Sequence, residues 1–254
     1  MRRLPRLLAL GVVVAATGLS ACGGGGGAAA TTSPSATTTA PAAPAPAAGR
    51  RHGATVARAN ADLAVYAQPG AATPERILPA HTSFGTARAL LVTEDDAAEA
   101  HGEWLHVLLP VRPNGSEGWI RRADVTVRTV DLRIDVDLTA RTLTVTNGDE
   151  TVLTTPVAVG APDVATPAGD FYVVDKLATG SEDGPYGPFA LGLSAHSDVL
   201  SEFGGGDGQI GIHGTNDPSS IGQAVSHGCV RVPNDITTML NGLVPLGTPV
   251  SIHG

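Results

Sequence analysis

From residue 54 onward the chain is cut about every ten residues by Pro, Gly, Asn or Asp, and the pieces between are short and rich in Val, Thr, Ile and Leu. Pieces of that length are too short for most packed helices but suit β-strands. Leu132-Arg133-Ile134-Asp135-Val136 and Thr142-Leu143-Thr144-Val145 alternate apolar and polar residues, so each buries one face. Thr139-Ala140-Arg141 and Asn147-Gly148-Asp149 supply turns around them. Helical spacing is clear only at Ile236, Met239, Leu240 and Leu243, after the start signal Pro233-Asn234-Asp235. The expectation is a mainly β fold with one notable helix.

The first fifth of the chain is of another kind. Arg2, Arg3 and Arg6 precede a run of small and apolar residues, 7–18. That run is shorter than the roughly 20 residues needed to span a bilayer and has the make-up of an export signal. Leu19-Ser20-Ala21-Cys22 resembles the bacterial lipobox. The resemblance implies a signal peptide over 1–21, a lipid on Cys22, and a mature chain anchored on the outer face of the cell membrane, facing the wall. Residues 22–53 are Gly, Ala, Thr, Ser and Pro with no large apolar side chain, too little to offset the entropy of ordering. As a tether they reach about 30 Å on average and about 90 Å when extended.

Charge narrows the partners. Formal net charge is −8, and without the leader 13 basic residues face 24 acidic ones. A nucleic-acid partner is disfavoured, because no basic face neutralises phosphates.

Two β units are expected, 54–127 and 128–254. In the first, 104–111 reads as a strand, Pro113-Asn114-Gly115 as a turn and 118–121 as the returning strand. Trp104 and Val107 followed by Gly118-Trp119-Ile120 resemble bacterial SH3-like domains of cell-wall proteins, which implies a small β-barrel. Trp104 and Trp119 serve equally as core aromatics or as a ligand groove.

With Cys22 assigned to lipid, Cys229 is the remaining thiol and has no disulfide partner in the chain. It stands in Ser226-His227-Gly228-Cys229-Val230-Arg231. In an extended segment His227, Cys229 and Arg231 share a side, and a cation beside a thiol favours the nucleophilic thiolate. His213, ending Gln209-Ile210-Gly211-Ile212, is a second candidate base.

Ile212-His213-Gly214-Thr215-Asn216, Pro218-Ser219-Ser220-Ile221-Gly222, the segment 226–231 and, upstream, Thr166-Pro167-Ala168-Gly169-Asp170-Phe171 together resemble the signature of the L,D-transpeptidase (YkuD-type) catalytic domain. The resemblance implies a cysteine acyltransferase acting on peptidoglycan stem peptides. Cys229 would be the nucleophile and His213 the base, oriented by the carbonyl of Gly214. His227, Gly228 and Cys229 would shape the oxyanion pocket, chiefly through backbone N–H groups, with Ser226 in support, and Arg231 and Tyr186 would bind substrate. Carbapenem-type β-lactams would be covalent inhibitors, and no cofactor is implied. A bare Gly228 lets a carbonyl approach backbone donors. Residues 178–208, with Tyr186, Phe189 and Phe203, read as a lid. His52, His81, His101, His106, His196 and His253 match no motif and read as surface residues.

Three rival readings use the same residues. Zinc could be held by His213, His227 and Cys229, although no metal-binding spacing supports it. A wall-binding lipoprotein could keep a silent catalytic half. Hydrolysis of the thioester would make the enzyme an L,D-carboxypeptidase.

Overall fold

The computed structural model describes residues 53–93, 102–203 and 205–254. The signal, the lipidation Cys22, the tether as far as His52, and His101 lie outside the described residues.

In the N-terminal unit, β1 (Ala54–Ala59) pairs antiparallel with β4 (Ala89–Leu91) on one side and β7 (Val125–Val130) on the other. Two hairpins accompany this sheet, β2 (Leu63–Val65) with β3 (Arg76–Leu78), and β5 (Trp104–Leu108) with β6 (Glu117–Arg121). Single bridges, Tyr66 to Trp119 and Val92 to Val107, join the pieces around a core that includes Leu63, Leu90, Leu105 and Ile120. The strand expected over 104–111 ends at Leu108, and the turn around Asn114 follows it. Trp104 is a core aromatic, edge-on to Tyr66 with ring centroids 5.1 Å apart. Trp119 is half-buried and stacks on His106 at 4.5 Å.

The second unit is an eight-stranded sheet. A meander of β8 (Leu132–Asp137), β9 (Thr142–Asn147) and β10 (Glu150–Pro156) carries out the alternation of its sequence, with Ile134, Val136, Leu143 and Val145 buried. The short β11 (Val159–Gly160) leads to β12 (Gly169–Ala178), β13 (Phe189–His196) and β14 (Gln209–His213), an antiparallel run. Then come β15 (Ala224–Ser226), paired with β11, and β16 (Val230–Arg231), parallel to β14. The last strand, β17 (Pro249–His253), lies between β8 and β12 and joins the two groups.

All the described residues fall in one compact unit, and strand β12 joins its N-terminal part to the large sheet. Phe171-Tyr172-Val173-Val174 is apolar at every position, the pattern of a strand covered on both faces. Phe171 and Val173 enter the core of the large sheet, while Tyr172 and Val174 enter the N-terminal core. The fully buried Tyr172 hydroxyl donates to the Leu108 carbonyl at 3.1 Å. Nearby, the Thr82 hydroxyl donates to the buried Asp175 carboxylate at 2.6 Å.

Two expectations change. Residues 178–208 do not form one lid, because 189–196 form β13 with Leu191, Leu193 and Ala195 in the core. Two separate connections flank that strand. His196 is not a surface residue: at 5% exposure it is held by Asn114 and Asp207. The helix, α1 (Asn234–Leu243), forms where expected, but its stripe is only partly used. Leu240 is buried and Ile236 packs on the core, whereas Met239 and Leu243 are exposed.

Tyr172→Phe removes the inter-unit hydroxyl donor without changing shape. It should lower unfolding free energy by about 1–2 kcal/mol, the scale of a lost buried hydrogen bond, in denaturant titration. An unchanged midpoint would show that this bond does not hold the units together.

Candidate active site

Parallel pairing of β14 with β16 sets Ile212 opposite Val230 and His213 opposite Arg231. Ile212 and Val230 go into the core, so His213, Arg231 and the preceding Cys229 lie on the opposite face. One step back along the register, the Gly211 N–H donates to Cys229 Sγ at 3.4 Å. The candidate base and thiol therefore share a face through strand pairing, not through closeness in sequence.

His213 is buried, and its Nδ1 donates to the Gly214 carbonyl at 2.6 Å. A carbonyl only accepts, so the proton sits on Nδ1 and Nε2 is the basic nitrogen. Burial depresses the imidazole to about 4; the Gly214 bond opposes this and the Arg231 charge adds to it. Burial likewise pushes the Cys229 thiol up, against the Gly211 N–H and Arg231. Arg231 does favour the thiolate, as expected, but desolvation outweighs it. The resting pair is a neutral thiol and a neutral imidazole.

His227 does not join that face. The alternation expected from 227 to 231 is broken at Gly228, whose φ of +114° belongs to glycine. A Cβ there would also stand 3.0 Å from Ile210 Cδ1. His227 is exposed and stacks on Phe203, with centroids 5.2 Å apart. With Phe203, Ser197, Leu200 and Ile210 it lines a narrow cleft of about 10 Å³ that reaches Cys229. The Gly228 N–H, expected to face an oxyanion, instead meets Ser226 Oγ at 3.1 Å, and that hydroxyl donates to the Cys229 carbonyl. Ser226 is thus a brace of the thiol's own backbone.

The connection between β12 and β13 brings Tyr186 edge-on to His213, at 4.9 Å. Its approach requires two bare backbones, since a Cβ on either Gly187 or Gly214 would fall 2.3 Å from Asn234 Oδ1. Asn234 was legible only as a helix-start residue. In the fold its Oδ1 accepts the Thr215 N–H at 2.8 Å and its Nδ2 donates to the Glu182 carbonyl at 3.1 Å. It ties the Tyr186 connection to the backbone that orients His213. Its partners lie too far along the chain for local pattern to reveal them. Among the described residues no group of three or more His, Cys, Asp or Glu could hold a metal ion.

A family model described as the L,D-transpeptidase catalytic domain (YkuD) matches residues 131–252. The chain is 42% identical over 124 residues to the L,D-transpeptidase-family protein YkuD of Bacillus licheniformis, covering 49% of this chain and 67% of that one. It is 38% identical over 125 residues to YkuD of Bacillus subtilis, covering 49% and 68%. The solved catalytic domain of the E. faecium L,D-transpeptidase is 27% identical, over 48% of this chain and 97% of that one, with a TM-score of 0.35. The chain belongs to the YkuD family of L,D-transpeptidases.

The unfolded chain titrates His213 near 6.5, whereas the folded imidazole resists protonation until about 4. Below about 6.5 the unfolded state takes up a proton that the folded state refuses. Stability should fall by up to about 3 kcal/mol as pH drops through that window. His213→Gln should remove this component of the slope in denaturant midpoints measured from about pH 7.5 to about pH 4.5. An unaltered slope would show that His213 does not titrate in this way.

Proposed function

We propose that the protein is a peptidoglycan L,D-transpeptidase with Cys229 as nucleophile and His213 as base. The observation that supports this most is the shared face of Cys229 and a His213 whose Nε2 is left basic by the Gly214 bond. At rest neither group is charged, so a separate thiolate is not stored. As the sulfur attacks the carbonyl of the third residue of a donor tetrapeptide stem, its proton passes to Nε2 of His213. Backbone N–H groups of His227 and Cys229 receive the oxyanion. The carbon–nitrogen bond to the terminal D-Ala then breaks, and His213 returns its proton to the departing amine. The side-chain amine of a neighbouring stem attacks the thioester, gives its proton to His213, and releases the free thiol with a 3→3 cross-link. Arg231 and Tyr186, beside His213, meet the substrate.

A strained carbonyl of a carbapenem would be attacked in the same way, and its ring-opening would leave an acyl adduct on Cys229. Lipid on Cys22 would hold the enzyme on the outer membrane face, with residues 22–53 spanning the gap to the wall.

In assays of D-Ala release from a donor tetrapeptide, Cys229→Ser should lose at least about a thousandfold in rate, and His213→Ala more than His227→Ala. Intact mass after carbapenem treatment should show one adduct on wild type and none on Cys229→Ala. Adduct formation on Cys229→Ala, or a serine variant with near-normal turnover, would sink the assignment. In cells, Cys22→Ala should move the protein from the membrane to the soluble fraction. Persistent membrane retention would refute the anchor.

A further inference from the structure

The connection between β13 and β14 forms one wall of the thiol cleft, through Ser197, Leu200, Phe203 and Gly208. Its neck is closed by the Ser197 N–H donating to the Gly208 carbonyl at 2.8 Å. Within it the Ser197, Leu200 and Asp207 carbonyls converge. Converging carbonyl dipoles repel one another unless a cation or donor set lies among them. Here the donors come from elsewhere in the chain. Arg112, in the turn between β5 and β6 of the N-terminal unit, donates from Nη1 to Ser197 O at 2.5 Å, and from Nη2 to Leu200 O and Asp207 O at 2.9 Å each. A planar fork with several N–H groups suits this arrangement, and a single ammonium does not. Gly208 has no Cβ, which would collide first with the Leu200 carbonyl and would stand 2.9 Å from Arg112 Nη2.

Two residues on, Asn114 makes the neighbouring attachment. Its Oδ1 accepts the His196 N–H at 2.9 Å, while its Nδ2 donates to His196 O at 2.7 Å and to Asp198 Oδ1 at 3.2 Å. His196 in turn meets Asp207 through Nε2, at 3.1 Å. The turn therefore grips both the end of β13 and the connection beyond it. Phe203 of that connection stacks on His227, two residues before the thiol.

We infer that Arg112 and Asn114 are positioning residues of the active site, so that the N-terminal unit sets the wall of the cleft through which a donor stem reaches Cys229. The cleft's role as the donor path rests on the function proposed above; the control of access to the sulfur does not. An N-terminal unit that served only as a detachable wall-binding module would leave the thiol indifferent to Arg112.

The test uses the chain without its leader, as wild type, Arg112→Ala, Arg112→Lys and Asn114→Ala, with Tyr172→Phe to loosen the unit interface elsewhere. Alkylation of Cys229 by iodoacetamide, followed on the Cys229 peptide, needs no catalysis; its rate follows access and thiolate content, which its pH dependence separates. Freed from its clamp, the wall should open, and Arg112→Ala should alkylate about five- to tenfold faster than wild type, with Arg112→Lys in between. Tyr172→Phe should alkylate at the wild-type rate. With donor tetrapeptide, Arg112→Ala should raise KM about five- to tenfold and leave kcat within about twofold, as expected when a preformed binding wall is lost. Wild-type alkylation rates in both Arg112→Ala and Asn114→Ala would overturn the inference. So would faster alkylation matched by Tyr172→Phe, since that would report general loosening. If Arg112→Ala fails to fold, Asn114→Ala carries the same expectation. A wild-type protein that releases no D-Ala would count against the proposed function, while the alkylation rates would still decide the clamp.

Discussion

The burial of β12 on both faces is the constraint from which the rest follows. A strand that is apolar at four successive positions cannot show either face to water without losing the transfer free energy of large side chains. One face is met by the sheet that carries the thiol and the other by the N-terminal unit. The contact is therefore a shared core, with a buried tyrosine hydroxyl passing through it to a carbonyl of the other unit. Once that face is fixed, the turn between β5 and β6 has a defined place beside the β13–β14 connection, and polar contacts as specific as those of Arg112 become possible.

Electrostatics at the site then follow from enclosure. A thiol next to an arginine and a backbone N–H would ordinarily be a stronger acid, and an imidazole hydrogen-bonded to a carbonyl a stronger base. Each shifts the opposite way here because desolvation is the larger effect. In the function proposed, such a pair would pass its proton during bond formation and not hold a standing ion pair. It also gives the Gly214 carbonyl a definite task, since that carbonyl selects the imidazole tautomer.

Much of this was legible in the sequence where the physics is local. Alternation in 132–136 and 142–145 set the meander, and the spacing of Ile236 and Leu240 set the helix. A parallel strand pair sets His213 opposite Arg231, two residues after Cys229. What escaped was non-local or depended on a balance of effects. Strand β13 was hidden because Gly and Ser on both sides, with Pro185 and Pro188 before it, made Leu191, Leu193 and Ala195 look like part of a loop. Gly228 breaks the extended geometry that would have put His227 beside Cys229, and no side-chain pattern announces a positive φ. Asn234 looks like any helix-start asparagine until its partner 19 positions back is known. The partners of Arg112 lie 85 to 95 positions away. Arginine on a turn carries no sequence mark of what it will reach.

The place of β17 has a kinetic consequence. Val250 pairs with Ile134, and on its other side with Phe171, so the middle of the sheet is filled by the segment made last among the described residues. Without it, the β8–β10 meander and the group of β12, β13, β14 and β16 would be two half-sheets, each with an open edge of unpaired N–H and C=O groups. Closing loops of such length precedes any gain from pairing, which makes the assembly slow. Until such an edge is paired it is open to the wrong partners: strands of other copies, and proteases.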